Sequence, residues 1–287
     1  MKSISPVRTL TLLMTYALGA GLVQYVDSIR DVTVMIGGGV FLLMVLLALD
    51  YLRSLPALSK FNQNHVNAEP KQYRFYRLAV GLIAALFLTV AIALYIGWLV
   101  SGVLWQGMNL IMIVVVVSGG FYYMTSARLK LMPYQLLVEA LLVVVIPPAM
   151  GFFLQSQTAH PFLTPVVLGL VPLYLAYRLL EMLKSFYEDQ QQGRRTLVVA
   201  IGWERAMVLH NVLILLGYVI LALVTLLGFP WRLLWPVFLT LPIGLLEIWL
   251  MERTRQGRKP LWRVMRIAAA SVLVIPIYLI AFAFWIR

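Results

Sequence analysis

Apolar residues in this chain come in long runs rather than at the spacing of an amphipathic helix or an alternating strand. A membrane-spanning helix needs about 20 mostly apolar residues. Nine stretches fit: 9–26, 32–52, 76–100, 104–124, 133–154, 162–183, 207–227, 233–250 and 267–286. The pattern predicts an all-α polytopic membrane protein, with residues 1–287 forming a single transmembrane domain. Pro147 and Pro148 lie in the fifth stretch, and Pro172, Pro236, Pro242 and Pro276 in later ones. Such prolines are tolerated where neighbours satisfy the carbonyls they free. Lys2 and Arg8 before the first stretch give it the look of a signal peptide, but eight further spans favour a retained helix. Gly37, Gly38 and Gly39, inside the second stretch, read as a site of close helix packing rather than a phosphate loop.

Composition agrees with this reading. Hydrophobic residues make up 62% of the 287 and charged residues 12%, against roughly 45–50% and 25% in soluble domains. Mean hydropathy is +0.90. An ordinary soluble domain and a disordered chain are both excluded. Cysteine is absent, which removes disulfides, thiolate metal sites and a cysteine nucleophile.

The net charge of +12 is distributed by loop. Lys2 and Arg8 precede the first span. Arg53, Lys60, Lys71, Arg74 and Arg77 flank the second connection, and Arg128 and Lys130 the fourth. Arg178, Lys184, Arg194, Arg195 and Arg205 surround the sixth, and Arg253, Arg255, Arg258, Lys259, Arg263 and Arg266 the eighth. Only Arg30, Arg232 and Arg287 fall on the other side. The positive-inside rule explains this basicity without nucleic acid and predicts a cell (inner) membrane protein with a cytoplasmic N-terminus and the C-terminus outside. Tyr95, Trp98, Trp105, Trp231 and Trp235 fall where an outer aromatic belt is expected.

The acidic residues near spans gather on the basic side: Asp50, Glu139, Glu181, Glu188, Asp189 and Glu247. A carboxylate at membrane depth calls for a partner. A charged mouth over an apolar body suits a ligand with a polar head and a long apolar tail. Snorkelling helix ends with local pairs, Arg178 with Glu181 and Lys184 with Glu188, are the structural alternative. His65, His160 and His210 lack metal-ligand spacing.

Residues 181–205, EMLKSFYEDQQQGRRTLVVAIGWER, resemble the second signature region of the UbiA superfamily of membrane prenyltransferases. Asp189, Gly193, Arg194, Arg195, Thr196, Leu197 and Gly202 match it. Residues 122–139, YYMTSARLKLMPYQLLVE, are similar to the 1,4-dihydroxy-2-naphthoate branch, with Lys130 and Glu139 matching and Val138 in place of a glycine. The resemblance implies nine helices around a central cavity, with helices two and six facing each other. It also implies transfer of a prenyl group from a prenyl diphosphate to an aromatic acceptor, with Mg2+ held by two aspartate-rich motifs.

Those motifs are degenerate here. Asp50 matches, but Leu49, Arg53 and Ala57 replace the other first-motif positions. Asp189 matches in the second, whereas Glu181, Met182 and Ser185 replace its partners. If catalysis persists, Asp50 and Asp189 are the catalytic candidates, and Asp50, Glu181 and Asp189 the metal ligands. Arg53, Lys130, Glu139, Glu181, Lys184, Glu188, Arg194 and Arg195 are the substrate-binding candidates. Arg53 and Lys184 stand where the metal is expected and oppose it by repulsion, while suiting an anion. Three readings remain open. One is a UbiA-like protein without magnesium-dependent transfer, binding membrane lipid or an isoprenoid or quinone-like ligand, or serving as a subunit among other membrane proteins. The others are a divergent active prenyltransferase using Mg2+ and an unrelated transporter.

Overall fold

The computed structural model describes residues 5–27, 29, 31–64, 70–127, 129–158 and 160–286, those at 56–64, 70–73, 106, 126, 127, 129, 130 and 227 by backbone alone. Among them, nine helical segments are long and apolar enough to cross a membrane. The first four spans are α1 (Pro6–Val26), α2 (Val32–Asn64), α3 (Pro70–Val100) and α4 (Gln106–Ala127). The fifth joins a 3-10 turn (Leu129–Tyr134), α5 (Gln135–Ala140), a π-helical turn (Leu141–Val145) and α6 (Ile146–Phe153). The sixth is α7 (Leu163–Lys184). Short helices α8 (Phe186–Gln191) and α9 (Leu197–Ile201) lead to α10 (Trp203–Val224), the seventh. The eighth combines α11 (Trp231–Leu234), a 3-10 stretch (Trp235–Thr240) and α12 (Leu241–Arg255), and α13 (Trp262–Trp285) is the ninth.

Several helices run past their hydrophobic stretches at the end that carries most of the basic residues, called here the basic end. α2 continues to Asn64, α10 starts at Trp203 and α13 at Trp262. Long cationic side chains can keep their heads in water while their stems cover apolar surface, so backbone hydrogen bonding outlasts the apolar run.

The irregular fifth span explains the placement of α1. Prolines at 147 and 148 lack N–H donors and free the carbonyls of Val143 and Val144. The Thr15 hydroxyl of α1 lies 2.9 Å from the Val143 carbonyl oxygen and shares its one hydrogen between that acceptor and the carbonyls of Thr11 and Leu12 in its own helix, at 2.9 and 3.0 Å. One turn further along α1, a Cβ on Gly19 would fall 2.0 Å from the Pro148 carbonyl oxygen, and one on Gly151 would fall 2.3 Å from that of Tyr16. Glycine alone permits this approach. Arg8, Thr11, Thr15 and Gly19 therefore share the inward face of α1, which also packs against α2 and α13.

The glycine run in α2 serves close packing, as its position predicts. A Cβ on Gly38 would collide with the Tyr16 hydroxyl at 2.3 Å, and one on Gly37 would crowd the Trp98 ring at 3.2 Å. Trp98 and Trp105 differ from the belt expectation. Trp98 is buried beside Phe41 in the space Gly37 leaves. The Trp105 indole N–H donates to the Phe153 carbonyl at 3.0 Å, one of the last carbonyls of the fifth span. Trp231 and Trp235 are exposed, as a belt requires.

Candidate functional site

At the basic end, α1, α2, α4, α5 and α7 bring five charged side chains and two tyrosines together. The Arg8 guanidinium pairs with the Asp50 carboxylate through Nη2. Its Nη1 donates to the Tyr122 hydroxyl at 3.1 Å and to Glu139 Oε1 at 3.4 Å. Glu139 Oε1 also accepts from the Tyr174 hydroxyl at 3.1 Å, and Oε2 from Arg178 Nη2 at 3.0 Å. Arg53 Nη1 donates to the Tyr122 hydroxyl at 2.9 Å, and its guanidinium carbon lies 5.5 Å from the ring centroid.

Local structure sets this geometry. Arg8 lies two helical turns before Thr15, and Glu139 one turn before Val143. The register fixed by the proline carbonyl thus brings the reach of Arg8 to Glu139. Tyr174 and Arg178 lie one turn apart on α7 and address the same carboxylate. The Glu139 side chain is only 1% exposed, so its charge depends on these donors. Three guanidinium groups face two carboxylates, a net positive charge. The Nε–H groups of Arg8 and Arg178 are buried without a hydrogen-bond partner among the described residues.

A second group forms around Asp189 of α8. Gly193 adopts φ +62°, a left-handed turn that suits glycine. The chain folds back there so that the Arg194 N–H reaches the Asp189 carbonyl at 2.8 Å. The Asp189 carboxylate accepts from Arg194 Nη1 at 3.1 Å and from the Ser185 hydroxyl at 2.9 Å. Glu181 pairs with Arg266 of α13 at 3.0 Å. The local Arg178–Glu181 pair allowed by sequence spacing is therefore replaced by two tertiary pairs, because Arg178 turns toward the fifth span and Glu181 toward α13. Glu188 is exposed and accepts from Gln192 at 3.3 Å, and Lys184 and Arg195 are exposed. The side chains of Lys130 and Ala57 lie outside the described residues.

Of the sequence candidates, Asp50, Arg53 and Glu139 come together. Asp189 and Arg194 form a separate pair, and Glu181 faces a third arginine. A magnesium ion takes near-octahedral oxygen coordination at about 2.0–2.1 Å. Here Asp50, Glu181 and Asp189 each turn an oxygen to a different guanidinium. No group of three or more His, Cys, Asp or Glu able to hold a metal occurs among the described residues. As arranged, these carboxylates do not fit a magnesium ion.

Sequence reasoning treated Arg8 as a loop charge and missed Tyr122, Tyr174 and the inward turn of Arg178. The available signal was the row Arg8, Thr11, Thr15, Gly19, polar or small at helical spacing, which marks a face turned from lipid. A buried pair between α10 and α12 was also missed: His210 Nε2 and Glu247 Oε1 lie 2.9 Å apart, both almost fully buried.

Two cavities open elsewhere. One of about 260 Å³ lies at the opposite end of the bundle among Val23, Asp27, Phe152 and His160. The other, about 400 Å³, is a groove at the basic end between α2 and α3. Neither lies between α2 and α7, the place where the family pattern leads one to expect a central cavity. Around the Arg8 cluster, Tyr122, Leu136, Glu139 and Tyr174 are all buried.

In sequence the chain matches no protein-family model and no curated protein. In structure it is similar to a UbiA homologue from Archaeoglobus fulgidus bound to GPP and Mg2+, with a TM-score of 0.64 at 14% identity over 98% of this chain and 97% of that one. A UbiA homologue from the same organism bound to Cd2+ gives 0.58 at 16% identity, covering 96% of each chain. The nine apolar spans among the described residues and these two likenesses, each over nearly the full length of both chains, establish an integral membrane protein with the UbiA-type fold.

Proposed function

We propose that this UbiA-fold protein does not carry out magnesium-dependent prenyl transfer, and that it binds an isoprenoid or quinone-like lipid, alone or as an accessory subunit of a membrane complex. The observation that carries the reading is the bridging of Asp50 and Glu139 by Arg8. A guanidinium in contact with both carboxylates uses the oxygens a metal would need and repels a divalent ion. The excess positive charge of the Arg8, Arg53 and Arg178 group suits a head with acceptor oxygens, a quinone carbonyl or an anion. Burial of an isoprenoid tail would supply most of the affinity, at about 0.8 kcal/mol per buried CH2. The same reading puts the basic end in the cytoplasm, on the asymmetry of loop charge.

The test supplies purified protein with Mg2+, a prenyl diphosphate and dihydroxynaphthoate, the acceptor of the branch whose pattern residues 122–139 share. The expected result is no transfer above background. Mass spectrometry of the co-purified lipids should show an isoprenoid or quinone enriched over the bulk membrane. Metal-dependent turnover abolished by Asp50→Ala or Asp189→Ala would instead establish a divergent prenyltransferase, the activity suggested by a structural relative bound to GPP and Mg2+. Absence of both turnover and lipid enrichment would leave the subunit role alone.

A further inference from the structure

The groove between α2 and α3 lies apart from the arginine–carboxylate cluster. It has a volume of about 400 Å³ and is lined by Leu55, Arg74, Arg77, Leu78 and Gly81. Arg74 and Arg77 are three residues apart, so they share one side of α3. Both are exposed, and neither makes an ion pair or hydrogen bond with a described residue. This contrasts with Arg8, Arg178, Arg194, Arg255 and Arg266, each of which meets a carboxylate.

The remaining walls are apolar. Leu78 and, one turn along α3, Leu82 are about 60% exposed. A Cβ placed on Gly81 meets nothing within 4 Å, so the groove has open space at its floor. Among the spans α3 is the least covered by its neighbours, and it rests mainly on α2. Two cations with no partner among the described residues therefore sit at the head of a lipid-facing apolar strip, at the first turns of α3. The positive end of the α3 helix dipole points to the same side.

We infer that this groove is a binding site for an anionic phospholipid, with the headgroup phosphate between Arg74 and Arg77 and an acyl chain along Leu78 and Leu82. A soluble phosphate would satisfy the arginines but leave the apolar strip unused. A zwitterionic lipid presents a phosphate but also an ammonium group that the two cations repel. The inference stands independently of what the Arg8 cluster binds.

Native mass spectrometry on the full chain released from nanodiscs of equal phosphatidylglycerol and phosphatidylcholine tests it. The unaltered protein is expected to retain phosphatidylglycerol preferentially. Each interfacial arginine contributes roughly a five-fold preference for an anionic lipid. Arg74→Gln or Arg77→Gln should therefore lower the preference about five-fold, and the double variant about twenty-five-fold. Arg74→Lys with Arg77→Lys, which keeps the charge, should retain most of it and serves as the folding control. Gly81→Leu fills the groove without altering charge and should also abolish the preference. Unchanged lipid retention in the double Gln variant would overturn the site, as would unchanged retention in Gly81→Leu. Displacement of the lipid by millimolar inorganic phosphate would overturn the lipid assignment and leave a soluble anion as the ligand.

Discussion

Replacing Arg8 with methionine tests the central cluster most directly. The substitution keeps an unbranched apolar stem on α1 but removes the guanidinium that bridges Asp50, Glu139 and Tyr122. Breaking a buried ion pair from one side costs about 3–5 kcal/mol, because the remaining charge is left desolvated. Glu139 keeps Arg178 and Tyr174 as donors, and the Asp50 side chain is 15% exposed. The lower end of the range applies, about 3 kcal/mol. At 2–4 °C per kcal/mol for a chain of this size, the thermal midpoint in detergent should fall by roughly 6–12 °C. Adding Asp50→Leu removes the orphaned carboxylate, and exchanging both partners of a buried pair for apolar residues is often close to neutral. The double variant should therefore recover at least half of the loss, although Asp50→Leu alone, which leaves Arg8 short of a partner, is destabilising. The assay is a double-mutant cycle of thermal midpoints read by size-exclusion recovery. If the two losses add to within about 0.5 kcal/mol, Arg8 and Asp50 are not coupled. The reading of Asp50 as a carboxylate already neutralised from within would then fail.

Two further outcomes follow from the same structure. Thr15→Val removes the donor to the Val143 carbonyl at nearly constant volume and should destabilise by about 1–3 kcal/mol, whereas Thr15→Ser should not; equal midpoints for the two variants would show that the freed carbonyl needs no donor from α1. His210→Leu leaves Glu247 buried without its partner and should destabilise by about 3–5 kcal/mol, lowering the midpoint by roughly 6–20 °C, while His210→Leu with Glu247→Leu should restore most of it; a double variant no better than the single would argue against a coupled pair.

Much of the architecture is legible in residue order, because lipid imposes a one-dimensional rule. A backbone in hydrocarbon must satisfy its own hydrogen bonds, so each apolar run of sufficient length becomes a helix whatever its neighbours are. That rule alone predicts nine spans, and the basic residues mark which connections share an end. The turn at Gly193 and the pairing of Arg194 with Asp189 are local too, since five residues separate the partners. Pairings across the bundle are of another kind. Arg8 and Glu139 are 131 positions apart, and nothing in their flanks links them. Their meeting depends on Gly19 and Gly151 letting two backbones approach and on Thr15 capping a carbonyl that Pro147 left free. The sequence by itself determined a membrane bundle with most of its carboxylates gathered at the basic end. Only the tertiary structure decided that arginines occupy those carboxylates, because helix rotation and register, which choose each side chain's partner, are set by contacts between distant segments and not by hydropathy.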